Sequence, residues 1–345
     1  MKLTHFRALV KARTMEFVRD RGTFFWNLLF PVLMIIGFAF AIPGNDTTLF
    51  KVGTFGNSGS LTAGSSAAAF AAMPQIQFID YGTATPEAPA KAVEKLRQHQ
   101  LDLLVDWEKQ RYWLNAESPK SLVLERLLVG AGSPAASFAK LTISGKPIRY
   151  VDWLVPGVIG MNMMFSCLFG VGYVIVRYRK NGVLKRLKAT PVSAISFVAA
   201  QTASRFLIVM STAIVVFTGT NLFLGFRMEG NYLLLLAHTS LAILSLISLG
   251  LVFAARLKSE ELVNGLMNII TFPMIIFSGV FFSLEGTSEV LQQAARVFPL
   301  THFIEGARNI MIQGAGIVEI LPSMLYLAIS TILFMIISAF MFKWE

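Results

Sequence analysis

Six apolar runs, near 24–42, 153–176, 204–226, 231–255, 262–283 and 317–342, decide what this chain can fold into. Crossing a bilayer core takes roughly 18–20 consecutive apolar residues in a helix. The core offers backbone groups no water, so a spanning segment must satisfy its own N–H and C=O groups, as an α-helix does. The fold class is therefore an α-helical integral membrane protein with six transmembrane helices. Only 14% of the 345 residues are charged and 54% are hydrophobic. A soluble domain averages about 25% charged residues, so a fully soluble reading has too little polar surface.

The first run, "FFWNLLFPVLMIIGFAFAI", contains Pro31. Proline leaves a carbonyl one turn earlier without its helical donor, which a neighbouring helix is expected to supply. The "AFA" at 39–41 fits a small-residue cleavage site, but a long basic stretch precedes the apolar core, so the segment is expected to be retained. That stretch, 1–23, reads as a weakly amphipathic helix. Leu3, Phe6, Val10 and Phe17 recur among Lys2, Arg7, Lys11, Arg13, Arg19 and Arg21, a pattern suited to a membrane surface.

Between the first two runs, 43–150 has the composition of a soluble domain. "FKVGTFG", "IQFIDYG", "DLLVDWE" and "QRYWLNA" predict short strands. "TPEAPAKAVEKLRQHQ" and "SPKSLVLERLLVG" predict helices with Thr85 and Ser118 as N-caps. Strands alternating with helices predict a small α/β domain inserted between the first and second spans. "GSLTAGSSAAAFAAMP" is either a small-residue helix or a flexible loop. The remainder, 151–345, carries spans two to six, a basic loop at 177–193 and a longer connection at 284–316.

The N-terminal tail and 177–188 each carry six Lys or Arg, and threading six spans places them on one side. The positive-inside rule makes that side cytoplasmic, with both termini there and 43–150 facing outward. A plasma membrane location follows, in bacteria the inner membrane. The net charge of +10 is thereby accounted for without nucleic acid, for which no binding fold is present. The lone Cys167 excludes an intramolecular disulfide, and no Cys/His spacing suggests a metal.

No catalytic signature appears. The chain lacks G-x-x-x-x-G-K-[ST], so it has no P-loop with which to hydrolyse ATP, and it lacks G-x-S-x-G and H-E-x-x-H. "GTFGNSG" after the first strand reads as turn chemistry. Arg205 is expected to snorkel to the interface, and His238 to make an interhelical hydrogen bond. No carboxylate lies near the middle of a span, which disfavours an ion-coupled carrier.

Asn264, Asn268 and Thr271 recur at i, i+4 and i+7 as one polar stripe, and Asn162 sits among Met161, Met163 and Met164. Such residues either glue helices together or wall a substrate path with adaptable contacts. Both readings stay open from the residues alone.

The loop "RYRKNGVLKRLKATPVS" is more ordered than a polybasic smear. After Gly182, the residues Val183, Leu184 and Leu187 form an apolar stripe, with Lys185, Arg186 and Lys188 facing elsewhere and Thr190-Pro191 stopping the helix. A short amphipathic helix of this kind suits docking into a protein groove, the leucines supplying the contact. Arg177, Arg179 and Lys180, before the helix, are expected to face lipid headgroups.

"NGVLKRLKATPVS" resembles the cytoplasmic loop of ABC-2 type transporter permeases, the membrane subunits of ATP-binding-cassette exporters. The basic N-terminus followed by "FFWNLLFPVLM" resembles that family's connecting helix and first span. The inserted α/β domain is similar to a subgroup with a large extracytoplasmic domain, and "FPLTHFIEGARNIMIQGAG" resembles the segment between spans five and six. The resemblance implies a permease that is not itself an enzyme, exporting an amphipathic or hydrophobic compound by alternating access. It implies a separate cytosolic ATPase, which would use ATP and magnesium, and a second permease subunit, identical or paralogous; no cofactor is implied for this chain. Gly182, Leu184, Lys185, Arg186, Leu187, Thr190 and Pro191 would couple to the ATPase; Asn162, Asn264, Asn268 and Thr271 would line the path; Pro299, Glu305 and Arg308 would build the outer segment. Many relatives have an acidic residue before the loop glycine, where this chain has Arg179-Lys180-Asn181. The alternative is a membrane scaffold or receptor whose 43–150 domain binds a periplasmic or extracellular partner.

Overall fold

The computed structural model describes residues 3–41, 50–55, 70, 73, 76–81, 88–98, 101–130, 138–144, 149–190, 192–226, 228–257, 259–281 and 289–341. The chain divides into two compact units, one of residues 1–41 with 150–345 and the other of 42–149.

The smaller unit is built on a five-stranded sheet in the order β2-β1-β3-β4-β5. The strands are β1 (Phe50–Phe55), β2 (Ile76–Asp80), β3 (Leu103–Asp106), β4 (Arg111–Asn115) and β5 (Ala139–Ile143). Only β3 and β4 run antiparallel, with Val105 opposite Tyr112; the other neighbours are parallel. Side chains alternate across a pleated strand, so the sheet has two cores. Leu103, Val105, Tyr112 and Leu114 pack with Leu124 and Leu128 of a helix at Pro119–Gly130; Leu104 and Trp113 pack with Ala92 and Leu96 of a helix at Ala88–Arg97. These helices are α3 (Ala88–Arg97) and α4 (Pro119–Gly130), one on each face.

Ser118 caps α4 as its sequence suggests, its Oγ accepting from Ser121 N at 3.3 Å. Thr85 and most of 59–74 lie outside the described residues. Strand β5 was not anticipated. Its side chains are nearly all exposed, so no alternation marks it in the sequence.

The larger unit is all helix: α1 (Leu3–Arg19), α2 (Arg21–Ala41), α5 (Tyr150–Lys180), α6 (Val183–Lys188), α7 (Ala194–Leu224), α8 (Tyr232–Ala254), α9 (Glu260–Phe277), α10 (Glu289–Ala295), α11 (Pro299–Gln313) and α12 (Ile317–Met341). Five of these, α5, α7, α8, α9 and α12, are long and apolar enough to cross a membrane. In α2 the described apolar stretch is the shorter Asn27–Phe38. Helix α5 is central and packs against α2, α7, α8, α9 and α11.

Two kinds of contact hold these helices. One is close approach: a Cβ on Gly157 would overlap the Val280 carbonyl, and one on Gly306 would overlap the His238 ring. The other is hydrogen bonding by side chains across helices, as between Ser245 and Ser330 at 2.7 Å, joining α8 to α12. His238 belongs here, its Nε2 lying 3.2 Å from the Phe303 carbonyl of α11, the interhelical bond expected of it.

Candidate functional site

Pro31 shapes one wall of the site. The missing N–H leaves the carbonyl of Asn27 without its helical donor. Asn162 of α5 fills that vacancy, its Nδ2 donating to Asn27 O at 3.1 Å. The neighbouring α helix thus supplies the bond that the sequence demanded. The same α2 residue accepts at its side chain, Ser166 Oγ donating to Asn27 Oδ1 at 3.0 Å. Arg205 of α7 completes the chain, its Nη2 donating to Ser166 Oγ at 3.0 Å and its Nε to Ser166 O at 2.7 Å.

Arg205 therefore corrects the expectation of a snorkelling side chain. It is only 8% exposed and turns into the bundle. Gly170 makes this possible, because a Cβ there would overlap the guanidinium. The Phe17 ring of α1 covers the group, its centroid 5.5 Å from Cζ.

These residues border a cavity of about 630 Å³ between α1, α2, α5 and α7. Phe17, Phe30, Phe165 and Phe169 give it an apolar lining, while Asn27, Asn162, Ser166 and Arg205 give it a polar side. Small-molecule sites commonly fall in the range of about 300–1,000 Å³ with this mixture of walls.

At another part of the wall, Glu16 joins α1 to α5. Its carboxylate meets Arg13 at 2.7 Å and Arg177 at 2.9 Å, and accepts from the Tyr178 hydroxyl. Burial works to raise the pKa of Glu16, but the Tyr178 hydrogen bond and the two guanidiniums outweigh it and hold the carboxyl below its usual value. Helix α9 is tied to α5 in the same manner, Glu260 accepting from Tyr173 at 2.6 Å and meeting Lys180 at 3.5 Å.

All three cations before the loop meet protein groups, but Arg177 and Lys180 keep 43% and 63% of their side chains exposed, so the expectation that they face lipid is corrected for the buried Arg179 alone. It is buried and donates to the carbonyls of Ala254 and Ala255, each at 3.1 Å, and of Leu257. Those carbonyls end α8, where helix geometry leaves acceptors unpaired and a cation is favoured.

Gly182 carries φ 69°, a left-handed conformation open to glycine without Cβ strain, and turns the chain from α5 into α6. Thr190 Oγ1 donates to Leu187 O at 2.6 Å, while Pro191 lies outside the described residues. The apolar stripe of α6 is not a free docking surface. Leu184 is fully buried in its own chain, Val183 and Leu187 are half-buried, and Lys185, Arg186 and Lys188 are exposed. The leucines anchor α6, and the outward face is cationic.

The proposed path residues are not gathered in one place. Asn162 borders the cavity, whereas Asn264 and Asn268 are exposed on α9 and Thr271 is buried on the seam with Val263, Met267 and Met274. Of the other candidates, Pro299 opens α11 and Glu305 is exposed. Arg308 stacks 3.5 Å from the Trp153 ring centroid and donates to Trp153 O at 3.1 Å and Gly279 O at 2.7 Å, clamping α11 to α5 and the end of α9.

Reading the sequence missed Glu16 and the Asn27–Ser166–Arg205 chain. Glu16 had a visible signal, being one of only two acids, with Asp20, in a basic stretch and three residues from Arg13. The others are separated by well over a hundred residues in places and have no local signature.

Comparison with known proteins follows from these features. A family described as "ABC-2 family transporter protein" matches residues 21–340. The chain is similar to ABC transporter G family member 20 of Dictyostelium discoideum, 25% identical over 348 aligned positions covering 91% of this chain and 47% of that protein. It is similar to the inner membrane transport permease YhhJ of Escherichia coli, 24% identical over 48% of this chain and 45% of that protein. It is also similar to the linearmycin resistance permease protein LnrN of Bacillus subtilis, 26% identical over 47% of this chain and 42% of that protein. In each case the match spans less than half of the relative's length.

Proposed function

The chain belongs to the ABC-2 transporter family, and from that premise we propose that it is the permease subunit of an ABC exporter. The observation that carries this is the family match over 21–340, which takes in nearly the whole chain. Two copies, or this chain and a paralogue, form the pathway, and a separate cytosolic ATPase drives alternating access. Helix α2 serves as a sixth span beside the five long ones, and the α/β unit then faces outward. Orientation rests on the basic N-terminal helix and the basic loop, whose Glu16–Arg177 pair joins them at one end of α5.

Coupling is assigned to α6. Gly182 starts it, Leu184 and Leu187 hold it on α5, and Lys185, Arg186 and Lys188 meet an acidic surface on the ATPase. Charge at such a contact sets orientation and encounter rate as well as affinity. The mixed lining of the cavity suits an amphipathic or hydrophobic cargo, in keeping with relatives named as transport and resistance permeases.

The test is to isolate the tagged chain from its native membrane. A distinct ATP-binding-cassette ATPase should copurify, and compounds from an amphipathic panel should stimulate its hydrolysis. Recovery without an ATPase, together with vesicle transport indifferent to ATP, would overturn the proposal.

A further inference from the structure

Arg205 presents an unbalanced charge. It is buried, and among the described residues no carboxylate pairs with it. Its Nε and Nη2 are taken up by the carbonyl and hydroxyl of Ser166, and Nη1 makes no hydrogen bond among those residues. The nearby acid Glu16 is engaged by Arg13, Arg177 and Tyr178. Arg13 adds a second guanidinium to the same stretch of α5, donating to Gly170 O at 3.3 Å while Arg205 holds Ser166 O. A cation removed from water without a counter-ion is costly, and carbonyl and hydroxyl dipoles offset that only in part.

The charge also faces space. Arg205 borders the 630 Å³ cavity, whose lining carries three guanidiniums, Arg13, Arg177 and Arg205, against two carboxylates, Glu16 and Asp20, and so has one cation in excess, beside Phe30, Phe165 and Phe169. Phe165 and Phe169 pair with ring centroids 5.9 Å apart and are half-buried, so they offer an apolar lining one helical turn long on α5. A fixed cation beside an aromatic trough is complementary to a molecule that is anionic at one end and apolar at the other.

We propose that this cavity binds a phosphate-bearing amphiphile, with the phosphate on Arg205 and Arg13 and the hydrocarbon chain along Phe30, Phe165 and Phe169. The phosphate supplies the counter-charge that the fold omits, through a charge-assisted hydrogen bond to the remaining Nη1. Asn162, already committed to the Asn27 carbonyl, sets the polar limit of the trough. Binding of this kind is an equilibrium property of the single chain and goes beyond the permease assignment, because it requires neither ATP nor an ATPase partner. A failure of binding would therefore leave the transport assignment standing, and the reverse holds as well.

The full-length chain, purified in detergent, is titrated with three probes and the bound fraction is read by native mass spectrometry. The probes are lysophosphatidic acid, a monoacylglycerol of the same chain length, and inorganic phosphate. Lysophosphatidic acid should bind roughly tenfold or more tightly than the monoacylglycerol, as expected for one charge-assisted hydrogen bond. Inorganic phosphate should compete only weakly, since it lacks the chain. Arg205→Gln should abolish the preference and Arg205→Lys should keep part of it. Should Arg205→Gln fail to fold, Val174→Asp gives a second reading, because Val174 borders the same cavity and a carboxylate there repels the anion. Equal binding of the neutral probe, or a preference that survives both Arg205→Gln and Val174→Asp, overturns the proposal. Competition by inorganic phosphate as strong as by the amphiphile would make this a free-phosphate site and overturn it equally.

Discussion

Replacing Asn162 by Ala should destabilise the protein by an amount that depends on residue 31. In the native chain Asn162 Nδ2 donates to the Asn27 carbonyl at 3.1 Å, the acceptor that Pro31 leaves without a helical partner. Interhelical hydrogen bonds in membrane proteins contribute about 0.6 kcal/mol on average and about 1.7 at most. Stranding a buried carbonyl adds a desolvation cost of roughly 1–3 kcal/mol. Asn162 is half-buried beside the cavity, so water can partly replace it, and a loss of about 1 kcal/mol is expected. Pro31→Ala restores an N–H at residue 31, one turn from that carbonyl. In this background the loss on Asn162→Ala should shrink toward the cost of the missing side-chain volume alone. A double-mutant cycle removes the volume cost and any effect of Pro31→Ala itself, leaving a coupling of about 1 kcal/mol. Four proteins are compared by reversible unfolding in mixed micelles. If Asn162→Ala costs the same in both backgrounds to within about 0.4 kcal/mol, the limit of ordinary additivity, then Asn162 does not serve the proline-freed carbonyl.

Three further outcomes are expected. Changing Lys185 and Arg186 together to Glu should leave the melting temperature unchanged and release the copurifying ATPase, whereas Leu184→Ser should destabilise the chain by about 2 kcal/mol or more; a folded Leu184→Ser protein that has lost only its ATPase would return the docking role to the leucines. Because the folded state lowers the Glu16 pKa, its stabilising contribution is complete above the ordinary value of 4.5 and is lost as pH falls through the folded value. Glu16→Gln should therefore flatten the acid side of the melting-temperature profile, and an unchanged acid limb would exclude the Arg13–Glu16–Arg177 pairing. With Cys167→Ser as background, Ala116→Cys should react with an impermeant thiol reagent in intact cells and Ala189→Cys only after permeabilisation; both positions are exposed, whereas Ser118 is buried. The opposite labelling would reverse the orientation.

Long-range consequences of composition were legible because they depend on runs. A helix across a membrane needs length and apolarity, and those are properties of consecutive residues. The helices α5, α7, α8, α9 and α12 therefore overlap the apolar runs, although α7 begins at Ala194, ten residues before its run, and α9 ends at Phe277, six before the end of its own; four strands of the sheet lie within the segments that alternate or cluster β-branched and aromatic residues. The need at Pro31 was legible as well, since any proline in a helix strands a carbonyl, but the donor was not. Asn162 is separated from Asn27 by 135 residues, and only packing of α5 on α2 brings them together.

The same division explains the corrections. Amphipathic spacing identified α6, yet spacing cannot say whether an apolar stripe faces a partner or the chain's own helices; packing within the chain buried Leu184 and left the lysines and Arg186 exposed. Charge density before the loop suggested lipid contact, but Arg179 found the carbonyl end of α8, and Arg177 found Glu16. Arg205 looked like an interfacial cation until Gly170 opened room for it inside the bundle. A sequence fixes which side chains are cationic, apolar or short. Their partners are decided by which helices lie within a few ångströms, and that distance is a property of the folded chain alone.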